Sequence, residues 1–175
     1  MHRVPNLREA LAGCDAQNMR QARVRGLAAV AVMAAMLASS RVGTAQEKGY
    51  WRAASSNANA ITGDLSFSAT KVTINLENYP IAEIRTLTAD EDAAVFDAEP
   101  DAGGAGKLFH LRVPAEQKFA HHNTLCGTED TQWMVTYVEN KTLRVAFFSG
   151  DTAPALTVDA LANSTDVCGI FTYAR

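Results

Sequence analysis

Three histidines and a nearby acid have side chains that can bind zinc: His110, Glu116, His121 and His122. A structural zinc site needs four ligands, and no His or Cys partner stands at a paired spacing here. The adjacent side chains of His121 and His122 would also point apart in an extended chain. The pattern therefore predicts histidines in loops. We expect no metal ligand and no cofactor.

The segment 97–101, at the start of a glycine-rich stretch that ends at Gly106, alternates acidic side chains as calcium-binding loops do. An EF-hand requires Gly at its sixth place and an acid at its twelfth, where this chain has Ala102 and Leu108. A phosphate loop requires Ser or Thr after its Gly-Lys pair, and Leu108 follows Gly106 and Lys107. The composition therefore predicts a solvated acidic loop.

No nucleophile stands beside a base. The chain has no Gly-x-Ser-x-Gly elbow, and Ser149 lies in a predicted turn. Cys126 follows His121 and His122 closely, but exported thiols usually form disulfides. We therefore expect no catalytic residue, and a hydrolase with an unrecognised site is the less favoured alternative.

The first 45 residues have the layout of a secretory signal peptide. Arginines precede an apolar run at 26–37, and small residues lead to Ala45. The run has 12 residues, whereas a membrane-spanning helix needs about 20. The pattern predicts cleavage between Ala45 and Gln46 and a protein of the periplasm or the medium with no membrane span. Met19 is a possible true start.

Cleavage would remove Cys14 and leave Cys126 and Cys168, an even number in an oxidising compartment. These two predict one disulfide that closes a loop of 42 residues. The removed part carries six of 16 basic and two of 19 acidic side chains, which leaves 10 and 17. The resulting charge of −7 disfavours nucleic acid as a partner.

Alternating apolar residues predict about eight short antiparallel strands in a small barrel or sandwich. Residues 46–59 are predicted to be a polar leader, and 60–175 the β domain. Val72, Ile74 and Leu76 would face inward, and a turn would follow at 78–80. A helical turn is expected at 114–122, and 156–161 is either strand or short helix. The strands are expected at 61–68, 71–77, 81–88, 93–98, 107–113, 132–138, 143–147 and 169–173.

Two resemblances accompany this pattern. Gly49-Tyr50-Trp51 resembles the Gly-x-Trp that opens lipocalins, in which the Trp plugs one end of an eight-stranded barrel. Ile61-Thr62-Gly63-Asp64, Asn123-Thr124-Leu125-Cys126-Gly127 and the terminal Cys168-Gly169-Ile170-Phe171-Thr172-Tyr173 resemble small exported proteobacterial proteins with no assigned function. This second resemblance implies an exported β domain and a Cys126–Cys168 pair, and it transfers no catalytic residue.

These observations predict a non-enzymatic, exported β module that acts by binding. Its partner would be a small molecule or a protein, and the ligand-binding residues stay unassigned. The alternatives are a lipocalin-like carrier of a small apolar ligand and an inhibitor of a secreted hydrolase. A ligand pocket lined by aromatics would favour the carrier, and a protruding ordered loop would favour the inhibitor.

Overall fold

The computed structural model describes residues 47–100 and 102–175, which form a closed antiparallel barrel of eight strands. Each strand pairs with the next along the chain, and the last returns to the first. This confirms the predicted fold class and decides between barrel and sandwich. The strands are β1 (Gly49–Ala53), β2 (Leu65–Phe67), β3 (Lys71–Ile74), β4 (Glu77–Thr86), β5 (Ala105–Val113), β6 (Thr131–Glu139), β7 (Thr142–Phe148) and β8 (Val167–Ala174).

The apolar residues form two layers. One cluster fills the barrel, and it includes Met134 and Val138 of β6. A second cluster lies outside the barrel and includes Val135 and Tyr137 of the same strand. Successive side chains of a strand point to opposite faces, so β6 is apolar on both faces because both are covered.

Two α-helices cover the outer layer: α1 (Ala89–Phe96) and α2 (Val158–Ala162). The strand predicted at 93–98 is therefore wrong, since α1 occupies most of that range. Thr88 caps α1 in a reciprocal pair with Glu91, and three acids stand in its first turn. Such a start favours a helix over a strand. The ambiguous segment 156–161 is largely α2.

The connections also differ in places from the prediction. The turn expected at 78–80 lies at Asn75–Leu76 instead, and residues 78–80 belong to β4. A register shift between Glu83 and Arg85 matches the irregularity in the apolar pattern of that strand. In place of the helical turn predicted at 114–122, the structure has a single 3₁₀ turn at Ala120–His122.

The β domain begins earlier than residue 60. Strand β1 lies inside the segment expected to be a polar leader, because Trp51 is buried and anchors it. The strand predicted at 61–68 divides into a π-helical turn at Ala58–Thr62 and β2. The predicted signal peptide, its cleavage point and Met19 lie outside the described residues.

Cys126 and Cys168 lie at disulfide-bonding distance, with their Cα atoms 4.7 Å apart. This pairing agrees with the disulfide predicted from the even number of cysteines. Across residues 47–100 and 102–175, no helix has the length and apolar character to cross a bilayer.

Candidate functional site

The interior of the barrel is occupied by its own side chains. The fully buried ones include Trp51, Phe147, Phe171 and Tyr173. Phe147 and Phe171 meet edge to face, with ring centroids 5.5 Å apart. The hydroxyls of Thr62 and Tyr173 share a buried hydrogen bond of 2.6 Å. Small barrels of this strand number are filled by side chains or hold one small ligand, and this barrel is filled.

Charged groups gather at the end where β5 begins. Lys107 Nζ lies 3.0 Å from Glu83 Oε2 and 3.5 Å from Glu47 Oε2. The Thr136 hydroxyl donates to Glu47 Oε1 at 3.3 Å. Glu47 and Thr136 are both buried, so these groups satisfy one another at the barrel end rather than facing a ligand.

Trp51 anchors the same end. Its Nε1 donates to the Glu47 carbonyl at 2.6 Å, and the Arg175 guanidinium lies 3.9 Å from the ring centroid. A cation over an indole face is attracted by the ring quadrupole. Trp51 is thus a structural residue.

The opposite end is covered by the segments 54–64 and 114–130. Asn123 Nδ2 donates to the Ala60 carbonyl at 2.9 Å and joins the two segments. Phe119 and Leu125 are buried in the interior cluster beneath them. The segment 114–130 also carries Cys126, so the disulfide fixes this cover to the start of β8.

The three histidines considered as zinc ligands lie on two different elements of the structure. His110 is exposed on β5 and contacts Trp133 edge on, with centroids 4.9 Å apart. His121 and His122 lie exposed in the 3₁₀ turn, both with positive φ. Within residues 47–100 and 102–175, no group of three or more His, Cys, Asp or Glu side chains is placed to hold a metal ion.

An open acidic cleft of about 370 Å³ contains Asp130, Asp151 and Asp166. Two of its acids, Asp130 and Asp151, accept hydrogen bonds from within the chain. Arg112 donates to Asp130 at 3.0 Å, and Gln132 donates to Asp151 at 2.6 Å. The Ala115 N–H and the Arg112 guanidinium hold the pKa of Asp130 below its ordinary value. These contacts give the cleft a structural role.

A second cleft of about 300 Å³ lies on the outer face of β1, β2 and β3, and we name it the hairpin groove. Its lining includes Tyr50, Asp64, Ser66, Thr73, Asn75 and Leu76. Leu76 is 92% exposed at the tip of the β3–β4 hairpin, although the alternation predicted that it would face inward. Tyr50, on the first strand, is 56% exposed.

Asp64 is the charged group of the hairpin groove. Its carboxylate accepts hydrogen bonds from the Tyr50 hydroxyl and, at 2.8 Å, from the Ala53 N–H. The hydrogen bond from Tyr50 lowers the pKa of Asp64 most, and the bond from Ala53 lowers it further. Nearby Arg52 adds to the effect. Asp64 is therefore ionised at neutral pH.

Sequence reasoning missed the hairpin groove because it placed the turn three residues too late. The available signal was Asn75, since Asn tolerates positive φ in the two-residue turns of β-hairpins. The turn was overlooked because Leu76 stands two residues after Ile74 and so continues the apolar alternation of Val72 and Ile74.

The fold and these sites define the class of this protein as an eight-stranded up-and-down barrel with a filled interior, a helical outer layer and one disulfide. Comparison of the chain with protein-family models, with curated proteins and with solved structures finds no match.

Proposed function

We propose that this chain is an exported, non-enzymatic binding module that contacts a protein partner with the outside of its barrel. The filled interior is the observation that carries the proposal. A barrel that holds a small ligand must leave space for it between its strands. Here that space is taken by Trp51, Phe147, Phe171 and Tyr173, and both ends are covered.

The carrier alternative is weaker for the same reason. An apolar ligand inside the barrel would have to displace fully buried side chains, and protein interiors leave few voids. The deletion of such buried groups costs several kcal/mol in typical proteins, on the order of the whole affinity of a small apolar ligand.

An inhibitor of a secreted hydrolase is the second candidate function. It is favoured by the β3–β4 hairpin, whose ordered tip presents Leu76 to solvent. Inhibitors that bind by a preformed loop lose little conformational entropy on binding, which gives them affinity for a cleft.

The proposal is tested on the exported, disulfide-bonded protein. Titration with the fluorescent fatty acid cis-parinaric acid should give no saturable 1:1 signal, and chemical crosslinking in the cells that export the protein should give a discrete heterodimer. Saturable fatty-acid binding that shifts the NMR signals of Phe147 and Phe171 would establish the carrier instead. Absence of any crosslinked protein would contradict a protein-binding role.

A further inference from the structure

The tip of the β3–β4 hairpin holds a bulky side chain in a costly backbone conformation. Asn75 and Leu76 have φ of 48° and 72°, and they connect the paired residues Ile74 and Glu77. Two-residue hairpin turns with positive φ at both positions favour Asn, Asp or Gly. Asn75 fits this preference. Leu76 does not, because its Cβ clashes with the backbone in the left-handed region.

The strain at Leu76 is not compensated within the described chain. The side chain is 92% exposed, so it contributes almost nothing to the core. Glycine would relieve the strain and remove the exposed apolar surface together. A residue that is unfavourable both for its backbone and for its solvation points to a contact outside the chain.

The surroundings of Leu76 show what kind of surface would accept it. The hairpin groove lies directly beside the tip, with exposed Tyr50 on its far side. Asp64 lies in the groove beside Arg52, whereas Glu77 follows Leu76 at the tip and pairs with Ile74 on the other face of the hairpin. The segment from residue 46 onward carries a net charge of −7. A complementary surface is therefore cationic around an apolar pocket.

We propose that the tip of this hairpin, with the hairpin groove, is the contact surface for a cationic protein partner whose apolar pocket receives Leu76. The inference rests on the proposed protein-binding function and adds the location of the contact and the chemistry of the partner. Leu76 acts as the apolar anchor, because a protruding side chain in a fully desolvated pocket carries much of the energy of an interface. Asp64 and Glu77 face the basic rim and speed association.

Site-specific photocrosslinking tests the location. The photoreactive p-benzoyl-phenylalanine replaces Leu76 in one variant and Val158 in a control, since Val158 is 68% exposed and lies on α2. In the cells that export the protein, the probe at position 76 should give one discrete heterodimer, and the probe at 158 should give none. Crosslinks from 158 alone would overturn the location and leave the protein-binding role standing. Crosslinks from neither position would count against both.

Substitution at the tip separates binding from folding. Leu76→Gly should raise the melting temperature by a few degrees, because glycine accepts positive φ without strain. The same change should weaken binding of the crosslinked partner at least tenfold, and Val158→Ala should leave that binding unchanged. A purely structural Leu76 would give the opposite result: a lower melting temperature and unaltered affinity.

The charge of the partner is tested by salt and by neutral variants. Glu77→Gln should lower the association rate severalfold and reduce its dependence on ionic strength, whereas Asp159→Asn on α2 should do neither. An affinity that is independent of salt, or a crosslinked partner peptide with no Lys or Arg beside its apolar residues, would overturn the cationic assignment.

Discussion

Asp92 is a buried carboxylate in the outer layer, and its environment is unusual for a charged residue. The side chain is 7% exposed, and its Oδ1 has no hydrogen-bond partner within the described residues. Burial raises the pKa of Asp92 to about 6, while the backbone amide of Gly106 acts in the opposite direction. Glu91 raises this pKa further, and Arg144 lowers it. The fold thus favours the protonated carboxyl.

The stability of the protein should therefore fall as pH rises from about 4 to about 6. The folded-state pKa exceeds the ordinary value of 3.8, so the contribution of Asp92 is complete below that value and is lost as pH passes about 6. The loss should be about 1 to 2 kcal/mol, reduced by solvent screening at the edge of the layer. Urea unfolding of Asp92→Asn should show this pH dependence abolished. The exposed Asp90→Asn is the control, and an equal effect there would refute the assignment.

Gly106 is the residue that makes room for Asp92. A Cβ at position 106 would lie 1.9 Å from Asp92 Oδ1 and 3.1 Å from the Thr136 carbonyl oxygen. Gly106→Ala should destabilise the fold by about 1 to 3 kcal/mol through overpacking. In an Asp92→Ala background the same change should cost markedly less. Additive losses in this double-mutant cycle, measured by urea unfolding, would show that the two positions are not coupled.

At the scale of elements, helix α1 owes its position to its first turn. The Thr88 hydroxyl accepts from the Glu91 N–H at 3.3 Å, and the Glu91 carboxylate accepts from the Thr88 N–H at 2.9 Å. Arg85 of β4 donates two hydrogen bonds of 2.6 Å to the same carboxylate. The helix is thereby tied to the strand that precedes it.

Thr88→Ala should destabilise the protein by about 1 kcal/mol, because a helix N–H loses its partner. Thr88→Ser keeps the hydroxyl and should cost less than half of that. Arg85 lowers the pKa of Glu91 to about 2, so the stabilisation from Glu91 is present above pH 4.5 and is lost toward pH 2. Hydrogen exchange of the α1 amides would locate the effect. Equal losses in the Ala and Ser variants would contradict capping.

The elements also show how far the sequence predicts this fold. Strands such as β5 and β7 could be predicted because the apolar residues that face the interior recur with a period of two. Helix α1 was missed because Ala93 to Ala98 is short and apolar, and its capping residue lies outside that window. Besides the misplaced turn, the hairpin groove was missed because its residues are distant in sequence, and only the pairing of β1, β2 and β3 brings them together.

At the scale of the whole molecule, the barrel closes by a short seam. Strand β1 pairs with β8 only at Arg52–Ala174 and Ala53–Tyr173. Beyond that point Ala54 and Ser55 donate to the Thr172 carbonyl, and among residues 47–100 and 102–175 no strand pairs with the first half of β8 on that side. The Cys126–Cys168 bridge attaches that half of β8 to the cover of the barrel. The covalent bond therefore lies on the part of β8 that the hydrogen-bonded ladder with β1 does not reach.

Loss of this bridge should weaken the whole fold rather than one loop. Cys126→Ala with Cys168→Ala removes a closure of 42 residues and should destabilise the disulfide-bonded protein by about 2 to 5 kcal/mol, because the unfolded chain gains freedom. Urea unfolding with and without dithiothreitol measures the effect. The reductant should destabilise the natural protein by a similar amount and leave the double variant unchanged. Two titratable thiols in the unfolded, unreduced protein, or a loss below about 1 kcal/mol, would show that the seam closes without the bridge.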